Sequence, residues 1–359
     1  MSPLREGLRR AVLGLDEWFI VPTLRSPRPA AWVAGRDLLA APLQLRGRLQ
    51  YHEAEIGGAP VRIACVGRPK RFAGLLRRWC DAPPAPPGRA GETVHSLWSP
   101  GRLATLEADL VAVEIHRWAA TRFRRAGWAV VPQTVRWQAD AAAVPPARPS
   151  VSLKSDLARV RRGGFTLEAT RDPAAWRLFV DRMLRPTAEG RFGAGAWHPT
   201  AALLDRVMRD GELYFLCREG ERLAGITALA LGRTTRWFPL SGLRDGDASL
   251  LRDGVMAATY ALVFARARAE GYSRLDLGRT TAFVHDGVAQ VKRKWGFAPV
   301  RDPLTQLVAL RLDAGSAALR EVLARDPLLA DTGEGLAPLT LAGAAAAPAS
   351  AAVRPAGVT

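Results

Sequence analysis

The chain contains few cysteines: Cys65, Cys80 and Cys217 are the only three in 359 residues. They are odd in number and far apart, and no C-x-x-C or histidine-rich spacing accompanies them. The sequence therefore indicates neither a disulfide framework nor a zinc site, and we expect no metal. Cysteine usage of this kind is typical of a reduced, cytoplasmic protein.

Long hydrophobic runs are also missing. No apolar stretch approaches the ~20 residues that a membrane-spanning helix needs. Charged residues such as Arg5, Glu6 and Asp16 interrupt the apolar stretches of the first twenty residues, which is not the pattern of a secretory signal. We expect a cytoplasmic protein without a transmembrane segment.

Lysine is scarce, whereas arginine is abundant. Four lysines stand among 51 basic residues, and the formal net charge is +17. A surplus of this size is common in proteins that bind nucleic acid, but here it is spread along the first 312 residues rather than clustered. A polyanionic substrate such as a CoA thioester, a tRNA-borne group or a lipid phosphate is also compatible with this charge.

Composition divides the chain into regions. Residues 141–149, AAAVPPARP, contain three prolines, which disfavour helix and sheet, and they predict a linker. This linker separates an N-terminal domain, residues 1–140, from a second domain, residues 150–312. A C-terminal extension, residues 313–359, becomes rich in alanine, proline and glycine, and we expect it to be largely disordered from about residue 331.

The N-terminal domain shows both strand and helix patterns. Alternating apolar residues flank Gly57-Gly58 and predict a hairpin. Apolar residues at helical spacing predict one long helix from Pro100 to about Ala126.

The second domain has the clearest element pattern. After a basic helix, the predicted order is β-α-α-β-β-β-α-β-α-β. The first helix of this series begins at Asp172 and should end near Arg185, because Pro186 cannot continue it.

Residues 272–299, YSRLDLGRTTAFVHDGVAQVKRKWGFAP, form the most informative segment. A short predicted strand ends at Gly278, a polar loop follows, and a basic helix stops at Gly296. Two of the four lysines, Lys292 and Lys294, lie in this helix. In an arginine-rich chain, lysines at this spacing indicate a position where a compact positive charge is needed.

This element order, with LDLG before the last helix and KRKWGFAP closing it, resembles the GNAT acyltransferase superfamily, and most of all its FemABX-type branch. The last helix of those families carries the pattern G-x-x-x-x-K-x-x-W/F-G-F/A. The matching residues here are Gly287, Lys292, Trp295, Gly296 and Phe297. The resemblance implies an α/β (α+β) fold with a GNAT-like mixed sheet flanked by helices. It also implies two tandem GNAT-like halves, of which the first, residues 1–140, is degenerate.

The resemblance further implies a reaction, the transfer of an acyl or aminoacyl group to an amine. The acceptor would be a small molecule or a cell-envelope precursor, and the donor an acyl-CoA or an aminoacyl-tRNA. Ordinary GNAT enzymes hold the CoA pyrophosphate on backbone N–H groups after the fourth strand. This chain has SGLRDGDAS at 241–249, where Asp245 and Asp247 would oppose a pyrophosphate, so both donors stay open.

The resemblance places the site where two neighbouring strands separate, here near Trp237–Leu240 and Asp276–Gly278. Backbone N–H groups in such a gap would stabilise an oxyanion. Asp276 is predicted to orient or deprotonate the amine. His285, beside the start of the last helix, is the second catalytic candidate, because a histidine titrates near neutral pH.

Substrate and donor contacts are predicted mainly for cationic residues. Arg236 and Arg279 flank the gap and suit an anionic donor, while the segment 190–198 corresponds to the acceptor-contacting region of GNAT-like folds. The full predicted binding set is Arg191, Trp197, Arg236, Leu240, Gly278, Arg279, Lys292 and Lys294.

Structural roles stay open for these residues. Asp276 could be a structural carboxylate that pairs with Arg279, and the two lysines could face solvent. His285 could be exposed or could cap the helix. Tyr214 and Tyr260 fit core positions. Two alternatives to a transferase also stay open for the whole protein. One is a non-catalytic GNAT-like binding module, and the other is a basic nucleic-acid-binding protein.

Overall fold

The computed structural model describes residues 33–35, 47–82, 93–94, 99–193, 196 and 198–341. Contacts divide the chain into two units. Unit I contains residues 136–279 and 290–299 together with 33–35, and unit II contains the described parts of 38–135, 280–289 and 300–341. Within these ranges, no helix is both long enough and apolar enough to cross a membrane.

The elements are named in chain order. The strands are β1 (Gly47–Ile56), β2 (Ala59–Gly67), β3 (Thr93–Val94), β4 (Leu110–Ile115), β5 (Ala129–Pro132), β6 (Thr134–Asp140), β7 (Thr166–Thr170), β8 (Gly211–Arg218), β9 (Glu221–Leu231), β10 (Thr235–Trp237), β11 (Ser241–Leu243), β12 (Arg274–Thr281), β13 (Ala298–Arg301), β14 (Leu307–Leu312), β15 (Leu329–Asp331) and β16 (Leu336–Pro338). The helices are α1 (Pro69–Trp79), α2 (Pro100–Ala104), α3 (Ala120–Arg125), α4 (Val151–Arg162), α5 (Pro173–Phe179), α6 (Arg185–Phe192), α7 (Ala201–Asp210), α8 (Ser249–Arg252), α9 (Val255–Ala269), α10 (Gly287–Lys294) and α11 (Ala317–Arg325).

Unit II is built on a mixed sheet with the order β3-β1-β2-β4-β14-β5. β2 and β4 are parallel, and the other neighbours are antiparallel. The predicted β1–β2 hairpin is confirmed. Gly57 and Gly58 take positive φ angles of 61° and 74°, which glycine adopts without a Cβ clash, and the Asp81 carboxylate accepts hydrogen bonds from both of their N–H groups.

The long helix predicted from Pro100 to about Ala126 is wrong. α2 ends at Ala104, β4 occupies residues 110–115, and α3 begins at Ala120. All six residues of β4 are buried, so this strand lacks the alternation of apolar and polar residues. The spacing of its apolar residues therefore also fits a helix. Only the pairing of this segment with β2 and β14 distinguishes a strand from a helix.

Unit I contains a second mixed sheet with the order β13-β6-β12-β10-β9-β8-β7, and β11 lies beside β9. β7 to β10 are antiparallel neighbours, and β10 pairs in parallel with β12. α9 directly precedes β12 and packs on the sheet through Val255 and Ala258, which share a core with Leu216 and Ala224 of β8 and β9. The predicted fold class, an α/β architecture with a mixed sheet flanked by helices, is therefore confirmed.

The predicted last helix is confirmed as α10. Asp286 Oδ1 accepts hydrogen bonds from the N–H groups of Val288 and Ala289 at 2.8 and 3.0 Å, which is the geometry of an N-terminal cap. Trp295, just after the helix, packs against Phe264 of α9 with ring centroids 5.6 Å apart. Trp295 of the sequence motif therefore belongs to the core of unit I.

The helix that begins after Asp172 does not end near Arg185, contrary to the prediction. α5 is followed by a π-helical turn at residues 180–184, and α6 then continues through Pro186. Pro186 lies in the first turn of α6, a position where a helix tolerates a residue without a backbone N–H. The π-helical turn at residues 180–184 changes the backbone hydrogen-bond pattern directly before α6.

The two units have different boundaries from the predicted domains. β6 belongs to the sheet of unit I, whereas β14 belongs to the sheet of unit II. Residues of the expected linker are bound within unit I, where the Ala141 N–H donates to the Ser273 carbonyl. β16 lies in the part expected to be disordered, and residues 342–359 are outside the described ranges. The interpretation of residues 1–140 as a degenerate GNAT-like copy stays a prediction.

Candidate functional site

The two strands that the sequence singled out separate within one sheet. β10 and β12 pair over three residues, of which Trp237 opposite Asp276 is the last, and the Phe238 N–H donates to the Asp276 carbonyl at 2.8 Å. Pro239 has no N–H to extend the ladder, and β11 pairs with β9 instead of β12. The pairing of β10 with β12 therefore ends where the sequence predicted that the two strands separate.

Gly278 lies in β12 just past this point and has a φ of +71°. A side chain is strained in this region of backbone conformation, whereas glycine is not. A Cβ at Gly278 would also lie 3.5 Å from Trp237 Nε1. The glycine therefore lets β12 change direction and brings the Trp237 indole close to its backbone.

The Trp237 indole is a hydrogen-bond donor that the fold does not use. Its side chain is buried, and among the described residues no acceptor hydrogen-bonds to Nε1. A buried donor without a partner is unusual and costs about 1–3 kcal/mol. Because this N–H lies beside Gly278, it is a candidate donor to a substrate oxygen in the gap.

Asp276 is fully buried, with 0% of its surface exposed. Its Oδ2 accepts hydrogen bonds from Arg136 Nη2 at 2.7 Å, from Arg136 Nε at 3.0 Å and from Gln138 Nε2 at 2.8 Å. Its Oδ1 accepts the Gly278 N–H at 2.7 Å. The partner in the ion pair is Arg136 rather than Arg279, and the carboxylate positions the backbone at the gap.

Several backbone N–H groups near the gap are engaged within the fold. The Leu240 N–H donates to Thr227 Oγ1 at 3.2 Å, the Gly278 N–H donates to Asp276, and the Phe238 N–H donates across to β12. These three groups would have to change partners to bind an oxyanion. The indole N–H of Trp237 has no such competing acceptor.

Arg236 lies on β10 in a buried polar network. It pairs with Glu212, donates to the Tyr214 hydroxyl at 3.0 Å, and its guanidinium lies 5.2 Å from the centroid of the Tyr272 ring. Burial raises the pKa of Tyr214 to about 12, as does its hydrogen bond to Glu212. Burial also acts to raise the pKa of Glu212, but hydrogen bonds from Tyr214 and Arg236 hold that pKa below its usual value. Arg236 therefore stabilises the sheet in this structure, and its predicted contact with a donor stays a prediction.

The two lysines of the motif differ sharply. Lys292 is only 4% exposed, and its Nζ donates to the Arg279 carbonyl at 2.9 Å. Lys294 is partly exposed and pairs with Asp156 of α4. Lys292 thus brings a buried positive charge to the backbone just after Gly278, whereas Lys294 joins α10 to α4.

The remaining predicted residues have varied locations. Arg191 is exposed near the end of α6. Burial raises the pKa of Tyr260, and the charge of Arg191 and the hydrogen bond between Tyr260 and Ser241 oppose this rise. Trp197 lies outside the described residues. His285 is exposed in unit II, where its Nδ1 hydrogen-bonds the Arg325 carbonyl at 2.8 Å. Asp276 and His285, the two predicted catalytic residues, therefore fall in different units.

The segment 241–249 does not form a cradle for a pyrophosphate. Asp245 pairs with Arg182 at 2.6 Å, and Asp247 Oδ1 accepts the Ser249 N–H at 2.8 Å. A Cβ at Gly246 would lie 2.7 Å from the Pro186 carbonyl oxygen, so the loop backbone is already packed against α6. The residues present here do not fit the pyrophosphate of CoA.

Sequence reasoning missed the residues that complete the Asp276 cluster. Arg136 and Gln138 lie on β6, ahead of the expected linker, and were assigned to the other domain. The sequence places the backbone of Trp237 at the gap but assigns no role to its indole. The signal available in the sequence was the run Arg236-Trp237-Phe238-Pro239, in which a proline ends a strand directly after an aromatic pair.

No protein-family model and no curated protein sequence matches the chain, but solved structures do. The C-terminal domain of a putative lysylphosphatidylglycerol synthetase from Agrobacterium fabrum is 15% identical with a TM-score of 0.38, over 85% of this chain and 94% of that chain. L-PGS from Bacillus licheniformis is 13% identical with a TM-score of 0.38, over 77% and 88%. FemX is 11% identical with a TM-score of 0.37, over 73% and 84%. At these identities and TM-scores, the similarity leaves the reaction and the substrates of this chain open.

Proposed function

We propose that unit I transfers an acyl or aminoacyl group to an amine in the gap between β10 and β12. The observation that carries the proposal is the separation of these strands after Trp237 and Asp276, with an unused indole N–H at that point. A reacting carbonyl in the gap would form the hydrogen bond that the fold leaves unmade.

The chemistry required is modest, because transfer to an amine depends mainly on positioning and on oxyanion stabilisation. The amine nitrogen attacks the carbonyl carbon, a new C–N bond forms, and the bond from carbon to the sulfur or oxygen of the donor breaks. The amine proton passes to the leaving thiolate or alkoxide. The Trp237 N–H would stabilise the oxyanion, while Asp276, already bound by Arg136 and Gly278, would hold the two strands in position.

The segment 241–249 favours one of the two donors. Its carboxylates and its packed backbone do not fit a CoA pyrophosphate, whereas an aminoacyl-tRNA does not require that loop. The formal charge of +17 suits a large polyanionic donor. We therefore favour aminoacyl-tRNA as the donor, with the amine of a small molecule or a cell-envelope precursor as the acceptor.

The test compares both donors with a matched pair of variants. Purified protein is assayed for thiol release from a panel of acyl-CoA thioesters and for transfer of a labelled amino acid from aminoacyl-tRNA to a panel of amines. Trp237→Phe removes the indole N–H at the gap. Trp176→Phe is the control, because Trp176 is also buried in unit I with an unused indole N–H, but lies on α5.

We expect Trp237→Phe to lower kcat by about 10²–10³, the usual effect of losing one oxyanion donor, and Trp176→Phe to leave kcat unchanged. No transfer from either donor class, or equal effects of the two substitutions, would count against the proposal.

A non-catalytic binding module is the second candidate. Two observations favour it. The Phe238, Leu240 and Gly278 N–H groups already donate within the fold, and Asp276 is already surrounded by donors. In that case, the same donors and amines would raise the thermal stability of the protein while no product forms. Turnover with any donor in the panel would exclude it.

A further inference from the structure

Unit II contains a cavity of about 180 Å³ that is separate from the residues discussed above. It lies between the segment that includes α3, the connection from β13 to β14, and the β15–β16 hairpin. Its charged lining consists of Arg117, Arg124, Arg301, Asp302 and Asp331. Three guanidinium groups and two carboxylates give the lining a formal charge of +1.

The aspartates of the lining neutralise only part of the charge of its arginines. Asp331 is shared, with its Oδ1 2.7 Å from Arg301 Nη2 and its Oδ2 3.7 Å from Arg124 Nη1. Asp302 is buried and accepts the Leu304 N–H at 3.0 Å. One aspartate thus serves two arginines, and a positive charge is left over at the cavity.

Arg124 provides a second, independent observation. Its Nη2 donates to Thr121 Oγ1 at 3.2 Å, but its Nη1 is buried and makes no hydrogen bond to any described residue. The distance of 3.7 Å to Asp331 is too long for one. A buried guanidinium N–H that lacks an acceptor would be satisfied by an oxygen of a bound anion.

The rest of the lining limits what the ligand can be. Leu307 and Leu336 supply an apolar wall, and the volume is below the roughly 300–1,000 Å³ of pockets for drug-sized ligands. A lining charge of +1 matches a single negative charge, and a carboxylate matches the planar fork of a guanidinium. A phosphate dianion would instead exceed this charge and lie close to Asp302 and Asp331.

We propose that this cavity binds a small monocarboxylate with a compact aliphatic body. The carboxylate accepts from Arg124 Nη1, and the aliphatic body packs against Leu307 and Leu336. The site is built from unit II residues alone and does not depend on the transfer reaction proposed for unit I.

The experiment measures binding to the full chain by calorimetry and thermal shift. The probes are 4-methylpentanoate, its neutral analogue 4-methylpentanamide, and inorganic phosphate, at one fixed ionic strength. Arg124→Gln removes the unsatisfied donor, and Arg301→Gln is a second variant at the edge of the cavity. Arg122→Gln is the matched control, because Arg122 is exposed on the same helix and does not line the cavity.

We expect saturable binding of 4-methylpentanoate and none of the amide. Arg124→Gln should weaken binding by about tenfold or more, as expected for a hydrogen bond to a charged group. Arg301→Gln should also weaken binding, because it removes the surplus positive charge of the lining, while Arg122→Gln should leave it unchanged. Absence of saturable binding, equal losses in the Arg122 and Arg124 variants, or tighter binding of phosphate than of the carboxylate would each overturn the proposal. If Arg124→Gln does not fold, the effect of Arg301→Gln on 4-methylpentanoate binding decides whether the proposal holds.

Discussion

Asp276→Ala should destabilise the protein strongly, because it removes one half of a fully buried ion pair. The side chains of Arg136 and Asp276 are 2% and 0% exposed. Removal of the carboxylate leaves the guanidinium charge in the interior and also takes the acceptor from the Gly278 N–H and the Gln138 amide. Breaking a buried pair in this way costs about 3–5 kcal/mol, a large share of the ~5–15 kcal/mol of a typical domain.

The double substitution separates the charge effect from the packing effect. Arg136→Met alone should also cost about 3–5 kcal/mol, since it leaves Asp276 charged and buried. Replacing both residues, with Arg136→Met and Asp276→Ala in one chain, removes both charges at once and should cost only about 1–3 kcal/mol, mainly from the donors left without an acceptor. The two single effects should therefore be far from additive.

The assay is urea unfolding followed by tryptophan fluorescence, since the Arg136 guanidinium lies 5.3 Å from the centroid of the Trp237 ring. Glu221→Ala is the control, because Glu221 pairs with Arg244 at 2.8 Å on the exposed surface of unit I. Exposed ion pairs contribute little, so this substitution should leave the unfolding free energy nearly unchanged. A cost for Asp276→Ala close to that of the control, or additive effects of the two single substitutions, would refute the reasoning.

Three further predictions concern the same unit. Gly278→Ala should cost about 1–3 kcal/mol through its positive φ. It should cost more than Gly271→Ala, whose φ is also positive, because Gly278 is buried in β12 whereas Gly271 lies in an exposed turn that can relax; equal costs in urea unfolding would contradict this reason. Lys292→Met should cost about 1–3 kcal/mol, because it removes the hydrogen bond from a buried ammonium group to the Arg279 carbonyl. Lys294→Met should cost less than about 1 kcal/mol. The same unfolding assay tests both, and the reverse order of the two costs would contradict the burial of Lys292. The pKa of Glu212 in the folded state lies below its ordinary value of 4.5, so this residue contributes stability that is present above pH 4.5 and is lost as the pH falls through the lower, folded value. Glu212→Gln should therefore lower the unfolding free energy at pH 7 and reduce its decline in acid, and an unchanged pH profile would show that the network around Arg236 does not hold this carboxylate.

The sequence predicted best the elements that neighbouring residues define. The α10 helix and the β1–β2 hairpin, with its two glycines, are local features of this kind. β4 was mistaken for part of a helix because a strand buried on both faces has no alternation of its own. The partner of Asp276 was also missed, since Arg136 is 140 residues away and pairing across that distance leaves no local signal.

What the sequence by itself determined is the separation of β10 from β12. Pro239 cannot continue a ladder and Gly278 can adopt a positive φ, and both are properties of single residues. The tertiary structure alone decided which side chains meet at that gap, because burial selects partners by proximity in space. It placed Arg136 and Gln138 against Asp276, and it buried Lys292 while leaving Lys294 partly exposed. It also left the Trp237 indole without an acceptor among the residues that the structure describes.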